Sequence, residues 1–582
     1  MRATKAGDLR LNKAKKHLFD GPINSTGFDI LSISALWLVS LFIINPLGDF
    51  PLNDDWSYAL TVKHFLETGD FLPIGWTSTP LLTHVLWGSF FCLLKGYSFE
   101  TLRFSTLTLS LVGVLATYLL VRVLDRSRWL AVIAALTVAF NPIYYALSTT
   151  FMTDVPFTAV MIVATLFLTR CLNQHSNFDL WLGTLLMMIA TLNRQLGITI
   201  PLAFTVTFIL KNGFTRQSIG RALLPSVMTL GALLALQQWL AATDRLPALY
   251  SAKTDAMMSA LESPELWVDA AGQIFVVLLY LGWFLLPVLV LCFGRIWLGT
   301  KGKKTSRLRL LAMALLCFIL LSIIPWHRGL YLMPLGGNII IESGIGPLTL
   351  HDTLIMQANH VPVLSNGFWF AITVFSLLGG TLLVIAGGIF ALRTFRTLWS
   401  NELDSNHATS LFLILSALLY LLPLIIAGLF DRYLLPPIPL LAAAFVNLTT
   451  KEARPTALSK EGRLFSVVSV ILLGLLFVYA IGGTRDYLTW NRTRWAMIDD
   501  FMRSEHVTVE EIDGGFEFNG LHLYSPHYQR EAGKSWWWVE EDTFIVTFGV
   551  VPGYSIVRED SYQQWFPPHR GALFVLEKKP TE

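Results

Sequence analysis

The sequence predicts a polytopic α-helical membrane protein of about 13 transmembrane helices, followed by a small mixed α/β domain. Three observations predict it. Of 582 residues, 54% are hydrophobic and only 14% charged, whereas a soluble globular chain carries roughly 25% charged residues. Mean hydropathy is +0.56. The apolar residues form runs that reach or approach the roughly 20 needed to cross a hydrocarbon core about 30 Å thick, almost without periodic polar positions. The final 98 residues, by contrast, hold 16 acidic and 10 basic side chains.

The runs fall near 28–46, 104–121, 129–147, 153–169, 180–193, 196–210, 222–241, 272–293, 310–326, 368–391, 409–427, 433–448 and 464–481. A basic prefix (Arg2, Lys5, Arg10, Lys13, Lys15, Lys16) precedes the first run, and no small-residue cleavage pattern follows it. It reads as a retained span behind a cytoplasmic segment, 1–27. The fifth and sixth runs are short and separated only by Arg194-Gln195. They form either a hairpin of thin helices or one bent element, and twelve spans is the alternative count. Cys92, Cys171, Cys292 and Cys317 lie in or beside apolar runs without metal-ligand spacing, which argues against a disulfide scaffold.

Charge sets the sidedness. With the N-terminus inside, cytoplasmic segments hold 25 Lys and Arg, outer loops hold 8, and the tail holds the remaining 10 of the 43. Short basic loops stay in the cytoplasm, so the chain is expected in a cell inner or plasma membrane with its C-terminal domain outside. The expected organisation is a transmembrane domain over 28–484, with a large outer loop at 47–103, and an extracytoplasmic domain over 485–582. In the loop, 55–71 reads as a surface helix with Asn53 or Asp54 placed to cap it, and 79–96 as an interfacial helix. In the tail, 493–505 reads as an amphipathic helix and 506–512, 543–551 and 572–578 as strands.

Few residues stand out chemically. Asp54 and Asp55 sit together in NDDWSYA at 53–59, where mutual repulsion raises the pKa of at least one. Such a carboxylate serves as a general base if it reaches a nucleophile in a dry pocket; helix capping accounts for the pair equally well. Asp154, in FMTDVPF ahead of Pro156, begins the fourth span at its outer end, and fits either a helix start or a cavity. Arg194 interrupts the apolar stretch between spans five and six, suited to a lipid phosphate or to snorkelling at the interface. Arg432 and Tyr433 recur at the same depth in GLFDRYLLPPIPL, where Pro436, Pro437 and Pro439 free backbone groups beside the charge. His351 and His360, in the stretch after the Gly-rich outer segment 329–347, are candidates for binding a headgroup or a metal, though single loop histidines mostly do neither. Trp536, Trp537 and Trp538, with Tyr524 and Tyr528, suit sugar stacking or the lipid interface.

Taken in order and on one face, these motifs resemble the GT-C superfamily of lipid-dependent membrane glycosyltransferases, most nearly the family of protein O-mannosyltransferases and lipid A aminoarabinose transferases. Asp54-Asp55-Trp56-Ser57-Tyr58-Ala59 matches the family's acidic motif heading a surface helix, which ends in GDF at 69–71. Asp154-Val155-Pro156 resembles its acid-Pro element with one residue intervening. Arg194-Gln195-Leu196-Gly197 and Arg432-Tyr433-Leu434-Leu435-Pro436 resemble its two basic outer turns. The longer blocks typical of protein mannosyltransferases have no good match, so a protein acceptor is not implied.

The resemblance implies a GT-C-like fold and a polyprenyl-phosphate sugar as donor. The acceptor is a lipid, glycan or protein, and a single displacement inverts the anomeric centre. It implies Asp54, Asp55 and Asp154 as the acidic catalytic set. Arg194, Arg432 and Tyr433 would hold the donor phosphate, with Tyr58, His351 and His360 toward sugar or acceptor. No metal is required, since the donor carries its own leaving group; an outer-face Mg²⁺ or Mn²⁺ between the acids is the open alternative. The rival class is a transporter or flippase of lipid-linked saccharides, which would show polar residues deep within several helices and pseudo-repeated halves. Neither is evident in the sequence.

Overall fold

The computed structural model describes residues 23–125, 127–300, 302–328, 333–399, 403–449, 459–529 and 537–580. The basic residues from Arg2 to Lys16, the start of the Gly-rich stretch at 329–332 and Trp536 lie outside these.

Each predicted run holds a helix. Nine described helices are long and apolar enough to cross a membrane, and a tenth span is formed if the bent pair Arg128–Ala139 and Pro142–Ser148 is counted as one. The chain is a multi-pass membrane protein. The bend, 61°, has a local cause. Pro142 has no N–H to donate and forces the preceding residue out of the helical region. The helix therefore stops at Ala139 and restarts at Pro142, where the Asn141 side chain accepts from the N–H groups of Ile143 and Tyr144. Three further helices, Asn177–Asn193, Thr199–Asn212 and Pro437–Thr449, are 17, 14 and 13 residues long. Helix length alone therefore does not establish the count of thirteen. Spans five and six are separate helices joined by a single 3-10 turn, Gln195–Ile198.

Packing follows small residues and ion pairs. The helices Leu266–Gly299 and Asn366–Trp399 touch backbone to backbone at Gly282 against Gly379 and Gly380, where a Cβ on Gly282 or Gly379 would collide with main chain. At the opposite end from the C-terminal domain, Asp29 pairs with Arg128 (2.6 Å) and Asp125 with Arg295 (2.5 Å).

The expected boundary at 485 falls inside one continuous helix, Lys460–Glu505. Its 46 residues span about 69 Å at 1.5 Å per residue, far more than a bilayer core, so it carries the last span directly into the tail. The tail's four-stranded sheet runs in the order β3-β4-β6-β5, with β3 Ile512–Asp513, β4 Phe544–Thr547, β5 Tyr554–Trp565 and β6 Pro568–Lys578. A two-stranded ribbon, β1 Ile340–Ile341 with β2 Gly344–Ile345, lies in the loop between the helices Lys304–Arg328 and Asn366–Trp399. Strand β3 is shorter than its predicted run, because Val509–Glu511 forms a 3-10 turn with a capping box at Thr508. Strand β5 has no predicted counterpart: YSIVREDSYQQW is mostly polar and lies at the sheet edge, so it lacks an apolar alternation.

Candidate active site

The site lies on the face that carries the C-terminal domain. The surface helix Asp55–Thr68 begins where NDDWSYA predicts it and ends at Gly69 in the left-handed conformation, whose N–H bonds the Phe65 carbonyl. Neither acid caps it. Asp54 sits at the N-cap but makes no capping hydrogen bond. Its Oδ2 instead accepts from Nη1 and Nη2 of Arg432, both at 3.1 Å, and its Oδ1 accepts from Nε1 of Trp76 at 3.1 Å.

Asp55 points the other way. It is almost fully buried, and its two oxygens accept from the backbone N–H groups of Leu52 (2.7 Å) and Phe151 (3.1 Å). Burial pushes its carboxyl up to about 8, against the pull of those two N–H donors. The pair thus splits into one carboxylate facing cations and one fastening the loop to the turn before Asp154.

Asp154 stands at the first turn of Asp154–Gln174 and pairs with Arg194, which reaches it from the turn after Asn193. Arg432 is presented by the 3-10 turn Asp431–Leu434. Both Asp431 oxygens accept from the Ile339 N–H, and one also from Ile340, which anchors that turn. Burial raises the Asp431 carboxyl to about 6. The three prolines fall at Pro436, Pro437 and Pro439, just before and within the first turn of Pro437–Thr449, where missing N–H groups are tolerated.

Tyr433 joins the two ion pairs. Its ring lies 5.2 Å from the Arg194 guanidinium and 5.6 Å from that of Arg432. A third cation completes the group: Lys253, from Ala248–Glu262, donates to the Tyr433 hydroxyl (3.3 Å) and to Ser78 Oγ (3.0 Å). Tyr58 is buried beneath, edge-on to His84, within the fields of Asp54, Arg432, Asp154 and Arg194. Asp54, Asp154, Arg194, Arg432, Tyr433 and Tyr58 therefore come together.

His351 and His360 do not join them. Nδ1 of His351 lies 2.8 Å from Asp513, and Nδ1 of His360 lies 2.6 Å from Asp352, which also accepts from the Phe548 N–H. His351 thus fastens the tail directly, and His360 holds Asp352, whose carboxylate accepts from the tail backbone at Phe548. Trp537 and Trp538 enter an aromatic cluster with Phe516 and Trp56. Sequence reasoning missed Lys253, Trp76 and Asp431. Lys253 and Asp431 carried a signal, a charge in a segment mapped to the outer face; Trp76 carried none. Among the described residues no group of three or more His, Cys, Asp or Glu is placed to hold a metal ion.

Residues 78–240 match the family model described as dolichyl-phosphate-mannose-protein mannosyltransferase. The resemblance to this family is thus found by a family model as well, over a stretch that includes Asp154 and Arg194 but not Asp54 or Arg432. Among solved structures, the chain is similar to ArnT from Cupriavidus metallidurans bound to undecaprenyl phosphate. Identity is 13% over 82% of this chain and 73% of that one, with a TM-score of 0.41. ArnT in the apo state is similar at 14% identity over 85% and 84%, with a TM-score of 0.35. None of the curated proteins matches.

Proposed function

We propose that this chain is a glycosyltransferase that moves a sugar from a polyprenyl-phosphate donor to a lipid, glycan or protein acceptor at the outer face of the membrane. The observation that carries the reading is the convergence of two carboxylates and three cations around Tyr433. Counted as charges, Arg194, Arg432 and Lys253 exceed Asp54 and Asp154 by one. That surplus suits a donor phosphodiester, which carries one negative charge.

In the proposed step an acceptor oxygen or nitrogen attacks the anomeric carbon from the side opposite the phosphate. The bond from that carbon to the phosphate oxygen breaks, and its electron pair leaves with the polyprenyl phosphate. The acceptor proton passes to Asp54. Inversion follows from the single displacement. The leaving phosphate gains negative charge as the bond breaks, and preorganised guanidinium groups in a site poor in water stabilise it best at that moment. Asp154 keeps Arg194 oriented, and Asp55 fastens the loop bearing the base.

The test is transfer by the purified full-length chain from a panel of undecaprenyl-phosphate-linked hexoses and pentoses. Wild type should release undecaprenyl phosphate and form a glycosylated acceptor. Asp54→Asn should abolish this while the protein remains folded. A wild-type protein that moves the lipid-linked sugar between leaflets without breaking its phosphate bond would instead establish the flippase reading.

A further inference from the structure

We propose that Trp76 is a positioning residue for Asp54, and that the C-terminal domain serves the reaction by holding Trp76 in place. This rests on Asp54 being the base.

The Asp54 carboxylate is gripped from two sides. The membrane half supplies Arg432 to Oδ2, and the outer loop supplies the Trp76 indole to Oδ1. Oδ2 takes two N–H groups from Arg432, whereas Oδ1 takes only the indole N–H and keeps a second lone pair with which to accept a proton. The grip also removes rotation about Cβ–Cγ, the freedom that would carry the base away from its nucleophile. Small misplacement of a catalytic group lowers a rate steeply.

Trp76 is itself seated by the tail. Its ring meets Trp538 edge-on, with centroids 5.2 Å apart at 87°, and Phe516 at 5.8 Å. Beside it, Gly75 lies so close to Tyr524 that a Cβ would stand 2.5 Å from the phenol oxygen. A second attachment reaches the residue before the base. Asn53, in the left-handed region at φ 58°, donates its N–H to Oε1 of Glu517 (3.1 Å). Glu517 is fully buried and fixed by Arg494 (2.9 Å) and Thr349 (2.6 Å). Two contacts from the tail, one through a side chain and one through the backbone, therefore converge on Asp54.

The plainer account is that Trp76 only fills an aromatic core. Within that same cluster the buried Trp56 Nε1 finds no partner among the described residues, whereas the Trp76 N–H is turned out of the cluster onto Asp54. Packing requires the ring and not that bond.

The two accounts separate on kinetics with the full-length chain and the undecaprenyl-phosphate sugar panel. Trp76→Phe keeps an aromatic ring but deletes the donor. Losing one hydrogen bond to a charged group should lower kcat about 10- to 100-fold, with the donor KM unchanged and the melting curve close to wild type. Phe516→Leu, which loosens the seat but leaves the indole, should lower kcat less and again spare KM; it carries the test if Trp76→Phe does not fold. Wild-type kcat in both variants, or losses that track the melting curve, would overturn the proposal while Asp54→Asn remained inactive. Transfer by Asp54→Asn, or no transfer by wild type from any donor, would instead overturn the reading of Asp54 as base and this proposal with it.

Discussion

Arg432→Gln strikes the centre of the site. The guanidinium is nine-tenths buried and makes two hydrogen bonds, each 3.1 Å, to one oxygen of Asp54. Breaking a buried charge pair by removing one partner destabilises by about 3–5 kcal/mol. Asp54 retains the Trp76 N–H and is 18% exposed, so the lower end, about 3 kcal/mol, is the better figure. If that loss falls on the transition state, kcat/KM drops by about 100-fold. Loss of a phosphate contact adds to KM. Arg432→Lys keeps a charge but not the fork, and should recover only part of the activity. The assay is initial-rate transfer from an undecaprenyl-phosphate sugar, with thermal melting alongside to exclude misfolding. Wild-type kcat/KM in a folded Arg432→Gln protein would refute the reasoning, since neither the base nor the phosphate would then depend on this cation.

Docking of the tail should weaken at alkaline pH. Although burial opposes it, Asp513 holds the His351 imidazole above its ordinary 6.5. A histidine raised on folding stabilises fully below its unfolded value, and that contribution is lost as pH rises through the folded one. Hydrogen exchange over 512–523, corrected for intrinsic rate, should show more opening near pH 8 than near pH 6. His351→Gln should flatten the difference, and pH-independent protection in wild type would count against it. Chelation by EDTA should leave transfer intact, because the cations at the site are side chains. Loss of activity restored by Mg²⁺ or Mn²⁺ would place a metal between Asp54 and Asp154 instead.

The division between sequence and structure follows from the range of the forces involved. Long apolar runs determine helices wherever they occur, because unpaired backbone groups are intolerable in hydrocarbon. The helical character of the predicted runs was therefore legible one segment at a time, whereas the break at Pro142, inside the run read as one span over 129–147, was a finding of the structure. The common face of Asp54, Asp154, Arg194 and Arg432 was legible too, since charge bias acts loop by loop. What sequence left open was direction. Asp54 and Asp55 are adjacent and chemically equivalent in the chain, yet one faces Arg432 and the other is spent on backbone amides 3 and 96 residues away. Cross-chain packing alone decides that. It also decided that His351 binds the tail while His360 pairs with Asp352, that Lys253 joins Tyr433, and that Glu517 reaches Asn53 across 464 residues. No local pattern encodes such contacts, because each is selected by the burial of its partners and not by its neighbours in the sequence.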